Sequence, residues 1–424
     1  MTTLVIGGGV TGMQVSVLLA QLGVHALLVE RSPHLGGRVP LLATTFPFFT
    51  ENGFRNGKEF AADLEREVRS AERVDVRVGT ELVRLEGEFP RFTAHLSDGA
   101  AKVVSTVVVC TGFEPFDPAE LPEYGYGVYR NVVTASELEW LLNPLGPNRG
   151  IPRRPSDEQP VQRLAIVFCV GSRNRRLGAP FCSRICCSYS TKQALAFLRA
   201  NPKGSVHCFY MDVRTYDRGF EEMYAKAQEN SVRYVRGRVS SCKELADATI
   251  LLRAENTLLQ RPFTGEFDLV SLATGMRPCH GAQQLATALG IEQARDGFFS
   301  CRTWFRYPND STRPGVFLAG CATGMKPIKN CMTDAAAAAS RVVTLLRQTL
   351  PADVTGERDP SGLSSERSVA SLADSVRSLD GGSSACEANS AKLQTAESTN
   401  GQGDDGRGSK AASLVLDPIR AGLS

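Results

Sequence analysis

The sequence predicts an α/β chain made of two Rossmann-like nucleotide-binding domains. Three observations carry that reading. Gly7-x-Gly9-x-x-Gly12 directly follows an apolar strand and opens a helix. Val107–Pro115 (VVVCTGFEP) is echoed by Val270–Pro278 (VSLATGMRP), each a buried strand, then Thr-Gly, two residues and a proline. Apolar strands also alternate with helices up to about residue 350, the pattern of a parallel sheet with helical crossovers.

The elements follow in order. Thr3–Ile6 reads as a strand, Thr11–Leu22 as a helix of small and apolar residues, and Ala26–Val29 as a second strand; this βαβ order implies a right-handed crossover. Glu59–Ser70 reads as an amphipathic helix, followed by strands at Val74–Val78 and Val103–Val109. Pro144–Pro160 holds five prolines and reads as a linker. A new unit begins with the strand Val161–Val170, a cysteine-bearing loop and a helix from about Ser190 to Ala200. Strand Val206–Met211, helix Phe220–Glu229 and strand Val232–Val235 complete it. The echo implies that this unit is inserted into the first domain. The expected division is therefore 1–143 and 279–350 for the first domain, in two parts, and 161–278 for the inserted one. Residues 351–424 contain no Phe, Trp or Tyr and are expected to be a disordered low-complexity tail, with a short helix near Val369–Leu379.

Composition narrows the function. Lys plus Arg (48) nearly balances Asp plus Glu (45), so the concentrated basic excess of a nucleic-acid binder is missing. No apolar run approaches the ~20 residues of a membrane-spanning helix, and MTTLVIGGGV has no basic segment or cleavage site of a signal peptide. Twelve cysteines without an export signal point to a reducing, cytoplasmic setting, where clustered cysteines serve as metal ligands or redox groups.

The glycine fingerprint has a specific chemistry. Gly7 permits the tight turn, Gly9 lets the backbone approach a pyrophosphate, and Gly12 lets the helix pack on its strand. The pyrophosphate then lies on the helix N-terminus, and Glu30, 18 residues beyond Gly12, accepts from the ribose hydroxyls. Two features favour FAD over NAD. Gly36-Gly37-Arg38 follows the acidic strand as a second loop over the pyrophosphate, and Gly315–Ala322 (GVFLAGCA) leads to a second helix N-terminus near Met332. Arg31, Thr111, Gly112, Gly320, Cys321 and Lys326 complete the candidate cofactor contacts.

Cys169, Cys182, Cys186 and Cys187 lie close together in sequence, beside Arg173, Arg175 and Arg176. Four cysteine sulfurs suit a [4Fe–4S] cluster. Zinc also accepts four cysteines, and inert buried thiols remain the plain alternative. There is no CxxC, and the one CxxxxC spacing, Cys182 to Cys187, falls inside this loop.

The segments VIGGGVTGMQ, VERSPHLGGR, FCVGSR…FCSRICCSYSTKQAL, FYMDVRTYDRGFEEMY and FLAGCATGMKPI resemble the A subunit of heterodisulfide reductase over essentially Met1–Leu345. That resemblance implies a thioredoxin-reductase-like flavoprotein. Its flavin-binding glycines and acid match Gly7, Gly9, Gly12 and Glu30, its cluster cysteines match Cys169, Cys182, Cys186 and Cys187, and a lysine near the flavin ring matches Lys192. The chain has no CxxCxxCxxxCP run and no cysteine over Val39–Phe54. It therefore resembles the short forms found in the heterodisulfide-reductase-like complex of sulfur oxidisers and the quinone-interacting oxidoreductase of sulfate reducers.

The expected function is that of an FAD and [4Fe–4S] electron-transfer component, working with iron–sulfur and disulfide-reductase-like subunits and homodimeric within that complex. The rivals are a stand-alone NAD(P)H-dependent FAD oxidoreductase and a structural flavin-binding assembly subunit. Cys169-Val-Gly-Ser-Arg stands where a nicotinamide domain would carry its glycine turn, which speaks against direct NAD(P)H binding.

Overall fold

A computed structural model of the chain describes residues 1–44, 56–216 and 218–349. The expected tail and its short helix lie outside the described residues. Two parallel sheets organise the rest. The first runs in the order Cys301–Thr303, Tyr307–Ser311, Val316–Leu318, Thr106–Val109, Thr2–Ile6, His25–Glu30 and Val74–Val78. Its five strands from Val316–Leu318 to Val74–Val78 are parallel, and the other two add on antiparallel. The central strand Thr2–Ile6 is hydrogen-bonded on both sides and buries Leu4 and Val5 completely, so its short apolar run suits a position covered on both faces. The helices Val10–Gln21 and Ile328–Thr349 contribute Met13, Leu19, Ala335 and Val342 to the core on one face of the sheet.

The second sheet runs Arg233–Arg236, Ser205–Tyr210, Arg163–Val170, Leu269–Thr274 and Val132–Thr134, all parallel. Here the sequence boundary at residue 143 needs correcting. Val132–Thr134 pairs with Leu269–Thr274, so this segment joins the second sheet rather than the first. The following helix, Ala135–Leu141, is closed at its start by a capping box between Thr134 and Glu137 and packs its Leu138 and Leu141 into the second core. Burial of Val132 and Val133, which local sequence does not distinguish from any other apolar pair, explains the move.

Other expectations shift by a few residues. The strand read at Val103–Val109 is two strands, Ala101–Val104 and Thr106–Val109, in separate sheets, with Ser105 between them. The helix expected near Met332 begins at Ile328, and the one expected near Ser190 begins at Cys186. Pro144–Pro160 is pinned down, because the Asn131 side-chain amide donates to Ser156 Oγ at 2.8 Å and its carbonyl accepts from Ser156 N–H at 3.1 Å. The echoed segments meet: Phe113–Pro115 and Met276–Pro278 pair antiparallel as a two-stranded ribbon.

Candidate cofactor and thiol site

A cavity of about 1110 Å³ opens at the carboxyl ends of the first sheet's central strands. Such a strand end is where open α/β sheets bind ligands. Gly7, Gly9, Glu30, Arg31, Gly37, Arg38, Thr111, Gly112, Lys192, Cys321 and Lys326 all line it. Gly12 and Gly320 are not among the lining residues, and both serve packing instead. A Cβ on Gly12 would overlap the Gly7 carbonyl, and one on Gly320 (φ +65°) would sit 2.6 Å from Thr11 Oγ1.

The glycines differ in what they face. Gly7 adopts φ +105°, and a Cβ there would lie 2.5 Å from the Cys110 carbonyl oxygen. Gly9 has nothing within 4 Å of its would-be Cβ, so its open side faces cavity space that a ligand can fill. The second loop is laid against the first, Gly36 N–H donating to Gly8 O at 2.8 Å. Glu30 accepts from Gly8 N–H at 2.5 Å and from Ser32 N–H and Oγ at 2.8 Å, which fixes its carboxylate at the strand end.

Arg38 is aimed inward. Its Nε donates to Phe113 O at 3.3 Å, its Nη1 is buried without a hydrogen-bond partner, and burial pulls its pKa down. A buried, unpartnered guanidinium nitrogen beside an open glycine is the donor arrangement a pyrophosphate satisfies. Arg31, by contrast, is already engaged with the His280 carbonyl (3.2 Å) and Glu114 (3.5 Å). Lys326 is ion-paired with Asp334 and donates to Thr323 Oγ1 at 2.6 Å.

Lys192 has a partner that sequence reasoning missed. Its Nζ donates to Glu139 Oε1 at 2.5 Å and to Thr44 O at 2.9 Å, with both charged side chains about 95% buried. Glu139 also accepts from Gln193 Nε2 at 2.8 Å and from Ala43 N–H at 3.0 Å. The lysine therefore brings a neutralised pair, not a lone charge, to the cavity wall.

The cysteines lie at the adjoining sheet edge. Cys169 lies near the end of the strand Arg163–Val170 with φ +61°, and Cys186 and Cys187 open the helix Cys186–Ala200. The Cys186 thiol lies within hydrogen-bonding reach of both Cys169 and Cys187, as donor to either. The Cys186 contact, with Arg173 and Arg214 nearby, holds the Cys169 thiol down at about 7. Cys187 is also lowered, chiefly by Cys186, while Cys186 between them is pushed up. Cys182 stands apart on the loop, its sulfur accepting Arg184 N–H at 3.3 Å. Among the described residues, no set of three or more His, Cys, Asp or Glu side chains is placed to hold a metal ion. Two of the four thiols, Cys169 and Cys187, are drawn toward thiolate, with the Arg173 guanidinium beside them.

Comparison with known proteins follows the same lines. Residues 1–128 match the family model described as pyridine nucleotide-disulphide oxidoreductase. The chain is 30% identical over 439 residues to the iron-sulfur A subunit of the CoB–CoM heterodisulfide reductase of Methanocaldococcus jannaschii, covering 83% of this chain and 67% of that one.

The chain belongs to the family of heterodisulfide reductase A subunits.

It is also 32% identical over 414 residues to the A subunit of the H(2):CoB-CoM heterodisulfide,ferredoxin reductase of Methanothermobacter marburgensis, covering 80% of this chain and 63% of that one. It thus spans less than two thirds of that relative. The fold is that of thioredoxin reductases: the T. acidophilum enzyme superposes with a TM-score of 0.57 at 14% identity, covering 81% of this chain and 98% of that one. Among the described residues no helix is long and apolar enough to cross a membrane. In this homologue of the heterodisulfide reductase A subunits, Glu139 and Cys331 also line the wall and lie outside every motif read from the sequence.

Proposed function

We propose that this chain is an electron-transfer subunit that binds FAD in the cavity and a [4Fe–4S] cluster on Cys169, Cys182, Cys186 and Cys187. It would act in the cytoplasm within a heterodisulfide-reductase-like complex. One observation carries the reading. The helix Cys186–Ala200 bears two of the thiols in its first turn, while Tyr189, Lys192 and Gln193 of the same helix line the cavity. A single rigid element thus joins the cofactor space to the thiol group.

Bound FAD would supply two-electron chemistry, and an iron–sulfur cluster one-electron transfer. Gly9 and Arg38 bind the pyrophosphate, Arg38 through its unpartnered Nη1. Glu30 positions the ribose. Lys192 holds a cation at the wall, its field moderated by Glu139. Arg173, paired to Asp212 at 2.6 Å, keeps positive charge beside Cys169. The partners are iron–sulfur and disulfide-reductase-like subunits, with a second copy of this chain in the same assembly.

Gly171 supports this reading over the nicotinamide rival. It is the one glycine after the strand Arg163–Val170 that could admit a pyrophosphate, yet a Cβ there would overlap the Phe116 ring. It is spent on internal packing, unlike open Gly9. Anaerobic stopped-flow mixing with NADH or NADPH tests this: neither should bleach the flavin rapidly, whereas a low-potential one-electron donor should. Fast, saturable bleaching by either nucleotide would promote the rival.

A further inference from the structure

A second thiol pair lies on the cavity wall, outside the proposed cluster. Cys321 sits in the helical turn Gly320–Thr323, and Cys331 in the first turn of the Ile328–Thr349 helix. Their sulfurs are 3.8 Å apart, and the Cys321 sulfur lies 3.5 Å from Lys326 O. Both side chains line the cavity. A disulfide needs ~2.0 Å between sulfurs, so the two must close by ~2 Å to form one.

The two thiols are unequal. Hydrogen bonding from Cys321 and Thr11, with the Lys326 ammonium nearby, holds the Cys331 thiol below its ordinary value. Cys321 is pushed up by Cys331 and by burial. Helix N-termini also favour a thiolate. This is the pattern of an attacking thiolate beside a protonated partner. Met276, Phe298 and Met325 pack around the pair, as do Phe181 and Ile185 from the loop that carries Cys182. The pair thus shares one apolar cluster with residues flanking the proposed cluster ligands.

We propose that Cys321 and Cys331 form a two-electron dithiol–disulfide couple that exchanges electrons with FAD in this cavity. Two S–H bonds break and one S–S bond forms, and the two electrons and two protons pass to oxidised FAD; the reverse reaction restores both thiols. The exchange rests on the FAD reading above.

The test uses the full-length, FAD-loaded protein under anaerobic conditions. Samples are poised at graded ratios of oxidised to reduced dithiothreitol, trapped with iodoacetamide in denaturant, digested and mapped by mass spectrometry. Cys321 and Cys331 should lose alkylation together along one two-electron curve, with a linked Cys321–Cys331 peptide appearing at the oxidising end. Starting from the oxidised state, a dithionite titration should take up two more electrons per chain in the wild type than in Cys331→Ser. Both thiols alkylated at every ratio, or equal electron uptake by the two proteins, would overturn the proposal. FAD is quantified in the same samples, so the two readings fail separately. FAD present without the disulfide sinks the couple alone, whereas a flavin-free protein that still forms the disulfide sinks the FAD reading and the exchange with it.

Discussion

Gly9 and Gly12 share one fingerprint but do different work, and substitution should separate them. A side chain at Gly9 projects into empty cavity space, so Gly9→Val should leave the fold intact while abolishing flavin retention. At Gly12 the added Cβ overlaps the Gly7 carbonyl, so Gly12→Val should cost about 3 kcal/mol or more of stability from overpacking. Urea unfolding together with released-flavin chromatography reads both. Equal destabilisation by the two variants would contradict the assignment. The buried Lys192–Glu139 pair gives a second residue-scale expectation. Glu139→Ala leaves the ammonium with only the Thr44 carbonyl and should cost about 3–5 kcal/mol. Replacing both partners, Lys192→Met with Glu139→Gln, which keeps an acceptor for Gln193 and the Ala43 N–H, should recover most of that. If Glu139→Ala costs less than about 1 kcal/mol, the pair is not a supporting element of the wall.

Among the elements, the strand Ser205–Tyr210 carries a pH response. His207 lies against Phe263 and Phe267, with Nδ1 buried and unpartnered. Burial, helped by Arg233, lowers its pKa from 6.5 to about 4. Between those values the unfolded chain binds the proton and the folded one does not, so stability should decline as pH falls from 6.5 toward 4 and level off below. Urea midpoints measured across that range should show the slope, and His207→Phe should flatten it. An unchanged slope in the variant would assign the response elsewhere. Sequence periodicity was most informative at this scale. Thr2–Ile6, Val10–Gln21 and His25–Glu30 are local elements joined by short turns, so strand, helix and acid were all legible within the first 30 residues. The sheet membership of Val132–Thr134 was not, because a partner more than 130 residues away decides it.

At the level of the whole molecule, the cavity is assembled from segments distant in sequence, from the Gly7 turn to Cys331. That explains what could be read in advance. The Gly7–Gly12 fingerprint and the Cys182–Cys187 stretch are compact motifs. Glu139 faces Lys192 from 53 residues away, and Cys331 lies ten residues beyond Cys321 with no motif spacing, so only the fold reveals either pairing. The proposed cluster would pass single electrons onward, which calls for an acceptor in a partner subunit. The tagged native chain should therefore co-purify with iron–sulfur or disulfide-reductase-like subunits, and repeated recovery alone would count against the assembly.

The central claim is that one chain binds FAD and an iron–sulfur cluster, joined through the helix Cys186–Ala200. The direct measurement is flavin, iron, acid-labile sulfide and zinc content of anaerobically prepared wild type and Cys186→Ser. The account predicts about one FAD and four irons per chain in the wild type, with most iron lost and FAD kept in the variant. Stoichiometric zinc without iron, or iron that survives the loss of Cys186, would contradict it.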